Sequence, residues 1–100
     1  LANNLVRVLP DGIGVDLDRV TWTPPAIFSL VQSVGGISQP DIEATLNMGV
    51  GMALVLPEAS VAPAQAVASA AGINSWVMGA AVAEPDAPAR VTLHGAHAAG

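Results

Sequence analysis

One segment near the middle of the chain limits its fold most: LNMGVGMALVLP, residues 46–57. Residues 48–56 are apolar or glycine without alternation, which predicts a strand that is buried on both faces and closed by Pro57. Gly49 and Gly51 interrupt this run, although glycine weakens a strand and packs no side chain. We therefore expect another group to approach the backbone closely at these two positions.

The composition restricts the class of function. The 100 residues carry eight acidic and three basic side chains, which gives a net charge of −5. Such a chain lacks the clusters of cations that bind nucleic acid or an anionic membrane surface. It contains no cysteine, which excludes disulfides and thiolate chemistry and suits the cytoplasm. Because 52% of the residues are apolar, we expect part of the surface to be an interface within a larger body.

The remaining patterns predict an α+β fold, a mixed sheet of three or four strands with helices packed on it. Ile13, Val15 and Leu17 alternate with polar or small residues, which is typical of a strand with one solvated face. Strands are predicted at residues 13–20, 48–56, 73–82 and 90–95, and helices at residues 1–9, 24–34, 37–47 and 60–71. Thr23 and Ser38 are predicted N-caps, Pro24 is predicted as a first helical residue, and the GG pair at residues 35–36 is predicted to end the helix that Pro24 begins. The stripe of Ile27, Leu30, Val31 and Val34 is predicted to face the core.

Two pairs of side chains have a spacing that deserves a chemical interpretation. Asp16 and Asp18 lie on the same face of a predicted strand and are compatible with Mg²⁺ binding or acid–base catalysis. Alternating carboxylates more often form the solvated side of a sheet, which is the preferred interpretation. His94 and His97 have a metal-binding spacing only on a helix, so they are interpreted as surface or tail histidines.

Asn4 and Arg7 form a third pair, near the start of the chain. They lie three residues apart and share one face of the predicted first helix. An arginine beside amide donors can bind a phosphate group. An exposed arginine on a short helix also needs no function, so the spacing alone leaves both roles open.

Four separated motifs stand in a fixed order between Leu1 and Val82: LANNLVRVLPDGIGVDLD, WTPPAIFSLVQSVGGIS, TLNMGVGMALVLP and SAAGINSWVMGAAV. Together they resemble the end of the aminoimidazole ribonucleotide synthetase family, also called phosphoribosylformylglycinamidine cyclo-ligase. Four motifs in register make the resemblance specific. It implies that residues 1–100 are the later part of a C-terminal domain, which the chain contains incompletely.

The family motifs are matched with three departures. The family's ENLPR helix has Asn3 here in place of glutamate and Val6 in place of proline, while Asn4 and Arg7 agree. The family's FNMGVGM has Leu46 in place of phenylalanine. The replacement of glutamate removes any role that depends on a negative charge at that position.

The resemblance also implies a site and its partners. Asn4, Arg7, Asn47, Gly49 and Gly51 are the implied substrate-binding residues, beside a cleft to an N-terminal ATP-binding domain that lies outside this chain. A phosphate-bearing ligand or the backbone of that domain would approach the two glycines. No catalytic residue and no metal ligand is implied within the chain.

The implied reaction belongs to a cytoplasmic, homodimeric parent enzyme of purine biosynthesis. It converts formylglycinamidine ribonucleotide to aminoimidazole ribonucleotide with ATP and Mg²⁺, and the present chain alone is expected to be inactive and to bind neither cofactor. Two other interpretations stay open. The chain could derive from a related hydrogenase-maturation or thiamine-monophosphate kinase type of protein, or it could be a non-catalytic association module that completes a larger subunit.

Overall fold

The computed structural model describes residues 1–97 and has an α+β architecture, as the sequence predicts. Its helices are α1 (Ala2–Leu5), α2 (Ala26–Gly35), α3 (Gln39–Thr45) and α4 (Glu58–Ala70), and its strands are β1 (Ile13–Asp18), β2 (Gly79–Ala83) and β3 (Arg90–His94). Short 3₁₀ helices at Val6–Val8 and Arg19–Thr21 follow α1 and β1. Within residues 1–97, no helix combines the length and the apolar character that crossing a bilayer requires.

The three strands form one mixed sheet with β1 in its centre, in the order β2-β1-β3. β2 runs antiparallel to β1 and β3 runs parallel to it, so that Val15 lies between Ala81 and Val91. Both outer strands come from the last quarter of the chain. The sheet therefore joins an early strand to the end of the described sequence.

The core lies on one face of this sheet. Val15 and Leu17 are buried and pack with Leu5 of α1, while Asp16 points to the opposite, polar face. The alternation predicted for β1 is thus confirmed. Trp22 is also buried, and its indole Nε1–H donates a hydrogen bond of 3.1 Å to the carbonyl of Met48.

The start of α2 differs from the prediction. The helix begins at Ala26 and its N-cap is Pro25, which has an extended backbone with ψ 148°. Thr23 was expected as the cap and Pro24 as the first helical residue, and both expectations are wrong. A residue that precedes a proline is pushed away from helical angles, so Pro24 cannot begin a helix in front of Pro25.

Local signals correctly predict two other helix boundaries. Gly36 ends α2 in the left-handed conformation with φ 61°, which glycine adopts without a Cβ clash. Ser38 caps α3, because its hydroxyl oxygen accepts a hydrogen bond of 3.3 Å from the backbone N–H of Asp41. The first predicted helix, over residues 1–9, is correct only in part, since it continues as a 3₁₀ helix after Leu5.

The buried strand predicted for residues 48–56 is absent. Met48 and Gly49 form a turn, and the residues from 51 to 57 have no helix, strand or turn. Met48 and Val50 are buried, but Met52 and Leu54 are exposed. A strand forms only against a hydrogen-bonded neighbour, and no segment within residues 1–97 provides one here.

The apolar stripe of α2 is exposed, which also contradicts the prediction. Ile27 and Leu30 are each 57% exposed and Val34 is 81% exposed. The helix has the expected amphipathic pattern but lies against too little of the chain to bury it. The amphipathic pattern of α2 therefore predicts the helix correctly but not the burial of its apolar stripe.

Candidate functional site

An open cleft of about 630 Å³ lies between the first helical turn and the end of α3. The lining residues from the first helical turns include Asn3, Asn4 and Arg7. Those from the end of α3 and just after it include Thr45 and Asn47. The two sides are held together by Asn3, whose Nδ2–H donates a hydrogen bond of 3.3 Å to the carbonyl of Ala44. Three of the five predicted substrate-binding residues, Asn4, Arg7 and Asn47, therefore share one cleft.

Arg7 is the cation of this cleft. Leu5 is buried beneath α1 and fixes the turn that carries Arg7, whose own side chain is exposed. Arg19 and Arg90 are both paired with carboxylates, whereas Arg7 has no hydrogen bond or ion pair within residues 1–97. No acidic residue lines the cleft. The guanidinium group is thus available to an anion from outside the chain.

Asn47 has a structural task beside the cleft. Its Oδ1 accepts a hydrogen bond of 2.9 Å from the backbone N–H of Gly49, which closes a turn with Met48 at φ 54° and Gly49 at φ 94°. The carbonyl of Met48 in this turn accepts the bond from Trp22. The oxygen of the Asn47 amide is therefore engaged in the turn, and the exposed side chain also lines the cleft.

Gly49 and Gly51 do not line the cleft. A Cβ atom on Gly49 would lie 2.6 Å from Cδ of Pro25 and 3.9 Å from Cε2 of Phe28, so the start of α2 occupies the space at this glycine. A Cβ atom on Gly51 would meet no atom within 4 Å. The group that approaches Gly49 belongs to the same chain, and a contact of Gly51 with a ligand or domain stays a prediction.

A cluster on the polar face of the sheet contains Asp16, Glu84, Arg90 and His94. The guanidinium of Arg90 donates to Asp16 Oδ1 at 2.8 Å and to Glu84 Oε2 at 2.7 Å. Nε2 of His94 lies 2.8 Å from the same Asp16 oxygen, to which its N–H donates. The hydrogen bond from Arg90, followed by that from His94, lowers the pKa of Asp16 to about 2.

This arrangement decides the role of the two sequence-predicted carboxylates. Asp16 forms ion pairs within the chain, and Asp18 Oδ1 accepts the backbone N–H of Val20 at 3.0 Å. Within residues 1–97, no three histidine or acidic side chains come together to hold a metal ion. The interpretation of Asp16 as part of the polar face of the sheet is the one that its contacts support. Sequence reasoning missed Arg90, whose partner Asp16 lies 74 residues away.

A second charged cluster, formed by Arg19, Glu43 and His97, is largely buried. Arg19 donates two hydrogen bonds of 2.8 Å to the carboxylate of Glu43, which lowers the pKa of Glu43 and raises that of Arg19. The remaining donor of Arg19 reaches the carbonyls of Leu93 and Gly95 at 3.1 and 2.9 Å. Glu43 is a buried residue of α3, and its partner Arg19 lies 24 residues away in the sequence.

His97 belongs to this cluster and is no free tail residue. Its ring packs edge-on against Trp22 with centroids 4.7 Å apart, and its side chain is only 13% exposed. Nδ1 lies 3.0 Å from the carbonyl of Arg19, so Nδ1 carries the hydrogen that it donates. The interpretation as a surface histidine holds for His94 and is wrong for His97.

Known proteins resemble this chain along most of its length. Residues 1–91 match the family model described as AIR synthase related protein, C-terminal domain. A protein of Streptomyces fradiae, provisionally named phosphoribosylformylglycinamidine cyclo-ligase, is 50% identical over 80 residues, which are 79% of this chain and 43% of that protein.

Two further relatives are named phosphoribosylformylglycinamidine cyclo-ligase. The protein of Shouchella clausii is 42% identical over 76 residues, which are 76% of this chain and 22% of the relative. That of Symbiobacterium thermophilum is 38% identical over 89 residues, which are 88% of this chain and 25% of the relative. The chain therefore spans less than half the length of the relatives that it matches.

Proposed function

The chain belongs to the AIR synthase related protein family, and from this premise we propose that it is the C-terminal part of a phosphoribosylformylglycinamidine cyclo-ligase. The parent enzyme would convert formylglycinamidine ribonucleotide to aminoimidazole ribonucleotide. In this proposal the cleft around Arg7 holds the phosphate group of the ribonucleotide. The observation that carries this assignment is Arg7 itself, the arginine that has no partner among residues 1–97 and lies in an open cleft beside amide side chains.

The chemistry of the cleft fits a phosphate better than an uncharged group. A guanidinium fork donates parallel hydrogen bonds to two phosphate oxygens, and the amides of Asn4 and Asn47 add neutral donors. No carboxylate lines the cleft to repel an anion. Gly51 is exposed but does not line the cleft, whereas Gly49 contributes to the shape of the turn.

ATP and Mg²⁺ are assigned to the N-terminal ATP-binding domain of the parent enzyme. The residues described here do not fit them, because no three acidic or histidine side chains converge within residues 1–97 and two of the three arginines are held by carboxylates. When bound, ATP would supply the phosphoryl group that makes the formyl amide oxygen of the substrate a leaving group. The part of this chain is to bind and orient the substrate for ring closure.

The proposal has three further parts, which rest on the family of the chain. The chain alone has no cyclo-ligase activity, because the nucleotide and the metal are bound elsewhere in the parent. Its partners are the N-terminal domain of the same protein and a second subunit of the homodimer. The whole enzyme acts in purine biosynthesis in the cytoplasm.

A binding experiment tests the phosphate assignment. Affinities of the chain for formylglycinamidine ribonucleotide and for the corresponding ribonucleoside, which lacks the phosphate, are measured by titration calorimetry or NMR. Arg7→Ala should weaken binding of the ribonucleotide about tenfold and leave binding of the ribonucleoside unchanged, because an exposed charged hydrogen bond lies at the low end of the usual energies. An equal loss for both ligands would show that Arg7 does not read the phosphate.

Two further variants separate binding from folding. Asn47→Asp keeps the oxygen that accepts from Gly49 but places a negative charge in the cleft, so it should weaken binding of the ribonucleotide alone. Asn74→Ala removes an exposed amide outside the cleft and should change neither affinity. The isolated chain should release no ADP in the presence of substrate and ATP, and coupled ADP release with ring closure would contradict the assignment of ATP to another domain.

A further inference from the structure

The turn that follows α3 has a backbone conformation that most residues avoid. Within residues 1–97, only Met48 and Asp86 combine a side chain with a positive φ, and Met48 has φ 54°. The Cβ atom makes this left-handed conformation unfavourable, so it persists only where surrounding contacts hold it. Asn47, which lines the cleft, is the residue directly before Met48. The contacts that hold the backbone of Met48 therefore also determine where the Asn47 side chain lies.

Hydrogen bonds of two kinds hold this turn. The backbone N–H groups of Gly49 and Val50 donate to Asn47, at 2.9 Å to its side-chain Oδ1 and at 3.1 Å to its carbonyl. These bonds close the turn on itself. The indole Nε1–H of Trp22 donates to the carbonyl of Met48 at 3.1 Å and fixes the turn to a segment 26 residues earlier. Trp22 and Met48 are both buried, so a loss of this donor would leave the carbonyl unsatisfied in the interior.

The ring of Trp22 is itself fixed in place. Its centroid lies 4.7 Å from that of His97, which packs edge-on, and 6.2 Å from that of Trp76. Nδ1 of His97 also lies 3.0 Å from the carbonyl of Arg19 and 3.3 Å from that of Trp22. The donor to Met48 therefore belongs to a side chain that is held at both its ring and its backbone, which gives the turn a fixed point of attachment.

We propose that Trp22 is a positioning residue for the cleft, an inference that rests on the proposed function. Its indole N–H holds Met48 in the left-handed conformation and thereby keeps Asn47 at the cleft before a ligand binds. Trp22 does not line the cleft, so it acts only through the turn. A side chain that is already in place costs less to order when the ribonucleotide binds, which raises the affinity.

A purely structural role for Trp22 makes a different prediction. A buried tryptophan stabilises the fold through its apolar contacts, and a loss of stability alone leaves the ligand affinity of the folded chain unchanged. A positioning role requires that the affinity of the folded chain falls when the indole N–H is removed. Trp22→Phe makes this comparison, because phenylalanine keeps an aromatic ring and has no hydrogen-bond donor.

Amide exchange followed by NMR measures the turn without any ligand. In Trp22→Phe the N–H of Val50 should exchange about tenfold faster relative to that of Ile42, whose bond to the carbonyl of Ser38 belongs to the first turn of α3. The ratio of the two rates separates a local opening of the turn from a loss of global stability, which would accelerate both amides.

Titration calorimetry then measures the affinities of the same folded chains for formylglycinamidine ribonucleotide and for its ribonucleoside. Trp22→Phe should weaken binding of the ribonucleotide about threefold, as expected when one neutral hydrogen bond at an exposed site is lost, and leave binding of the ribonucleoside unchanged. In a chain with Asn47→Ala the same substitution should cause no further loss, because the side chain that it positions is absent. In a chain with Arg7→Ala it should cause the full loss, since Trp22 does not act through Arg7.

Trp76→Phe is the matched control, because the indole N–H of Trp76 is buried and has no hydrogen-bond partner within residues 1–97. It should change neither the exchange ratio nor the affinity. Should Trp22→Phe fail to fold, 3-benzothienylalanine at position 22 of the Trp76→Phe chain replaces the N–H by sulfur and keeps the size of the ring. The same faster exchange and weaker binding are expected of that chain.

The outcomes separate a failure of the positioning role from a failure of the proposed function. An unchanged exchange ratio or an unchanged ribonucleotide affinity in Trp22→Phe would overturn the positioning role, and so would equal effects of Trp22→Phe and Trp76→Phe. The proposed function stands in these cases if Arg7→Ala still weakens binding of the ribonucleotide. No effect of Arg7→Ala would instead refute the phosphate assignment, whatever the exchange ratio is, and a chain that does not bind the ribonucleotide would overturn both.

Discussion

Replacement of Arg19 by methionine tests how much the fold depends on its buried ion pair. Arg19 accounts for two hydrogen bonds to Glu43 and for two to the carbonyls of Leu93 and Gly95, and so ties β1 to α3 and to the end of β3. Methionine has a similar length and preserves most of the apolar contacts of the stem. The substitution therefore removes the charge and the hydrogen bonds with little change in packing.

The expected loss of folding stability follows from the state of Glu43 after Arg19 is removed. The side chain of Glu43 is only 9% exposed, so without Arg19 it becomes a buried carboxylate that has lost its cation. Breaking a buried pair in this way costs about 3–5 kcal/mol. The Arg19 side chain is 19% exposed and water reaches part of the site, so we expect the lower value, about 3 kcal/mol. A domain of this size has a total stability of roughly 5–15 kcal/mol, so the loss is readily measured.

Urea unfolding followed by the fluorescence of Trp22 and Trp76 provides the assay. These rings lie 6.2 Å apart, and Trp22 packs on His97 in the same cluster. The double variant Arg19→Met with Glu43→Leu should recover most of the lost stability, because it leaves no buried charge. A loss below about 1 kcal/mol for the single variant, or a double variant no more stable than the single one, would refute this reasoning.

The pH dependence supplies an independent check on the same pair. In the unsubstituted chain the pKa of Glu43 is lowered, so its contribution to stability is complete above the unfolded pKa and is lost as the pH falls. In the Arg19→Met variant the unpaired buried carboxylate is easier to protonate, so burial costs less at low pH. The stability difference between the two chains should therefore shrink between pH 7 and pH 4, and a constant difference would contradict this explanation.

Two further predictions concern the turn and the sheet. Gly49→Ala should destabilise the chain by about 2 kcal/mol, since alanine is strained at φ 94° and its Cβ would overlap Pro25. Gly51→Ala should leave the stability unchanged in the same urea experiment. Equal effects of the two substitutions would exclude backbone strain and overlap with Pro25 as the cause. Asp16 has a pKa of about 2 in the folded chain against 3.8 ordinarily, so the stability that its pairing with Arg90 contributes is present above about pH 4 and is lost towards pH 2. Asp16→Asn should reduce this loss in acid denaturation followed by circular dichroism, and an unchanged acid transition would assign it to other groups.

Features that a few neighbouring residues decide were predictable from the sequence. The alternation in β1, the left-handed Gly36 and the cap at Ser38 each depend on interactions within about four residues, and all three are found as expected. The start of α2 is also local, but two preferences of proline oppose each other at Pro24. Proline favours a first helical turn, whereas Pro25 disfavours helical angles in the residue before it, and the second preference prevails.

Interactions between distant residues were not predictable in the same way. Arg19 finds Glu43 and Arg90 finds Asp16 only because the sheet and α3 bring them together, and no spacing in the sequence indicates either pair. For the cleft, helical spacing placed Asn4 beside Arg7, but the addition of Asn47 came from the family resemblance alone. The composition indicated an interface without showing which residues form it.

Gly49 and Gly51 of the NMGVGM segment differ in whether the fold of this chain requires glycine. The difference decides which of the two positions can indicate a ligand. The fold of this chain already requires glycine at position 49, because of its positive φ and the nearby ring of Pro25. Its presence is therefore no sign of a ligand. Gly51 has neither a positive φ nor a neighbour in the described chain, so its own fold gives no reason for glycine there. A requirement for glycine at position 51 in the parent would have its cause outside the described residues, and the affinity of Gly51→Ala for the ribonucleotide tests whether that cause is the substrate.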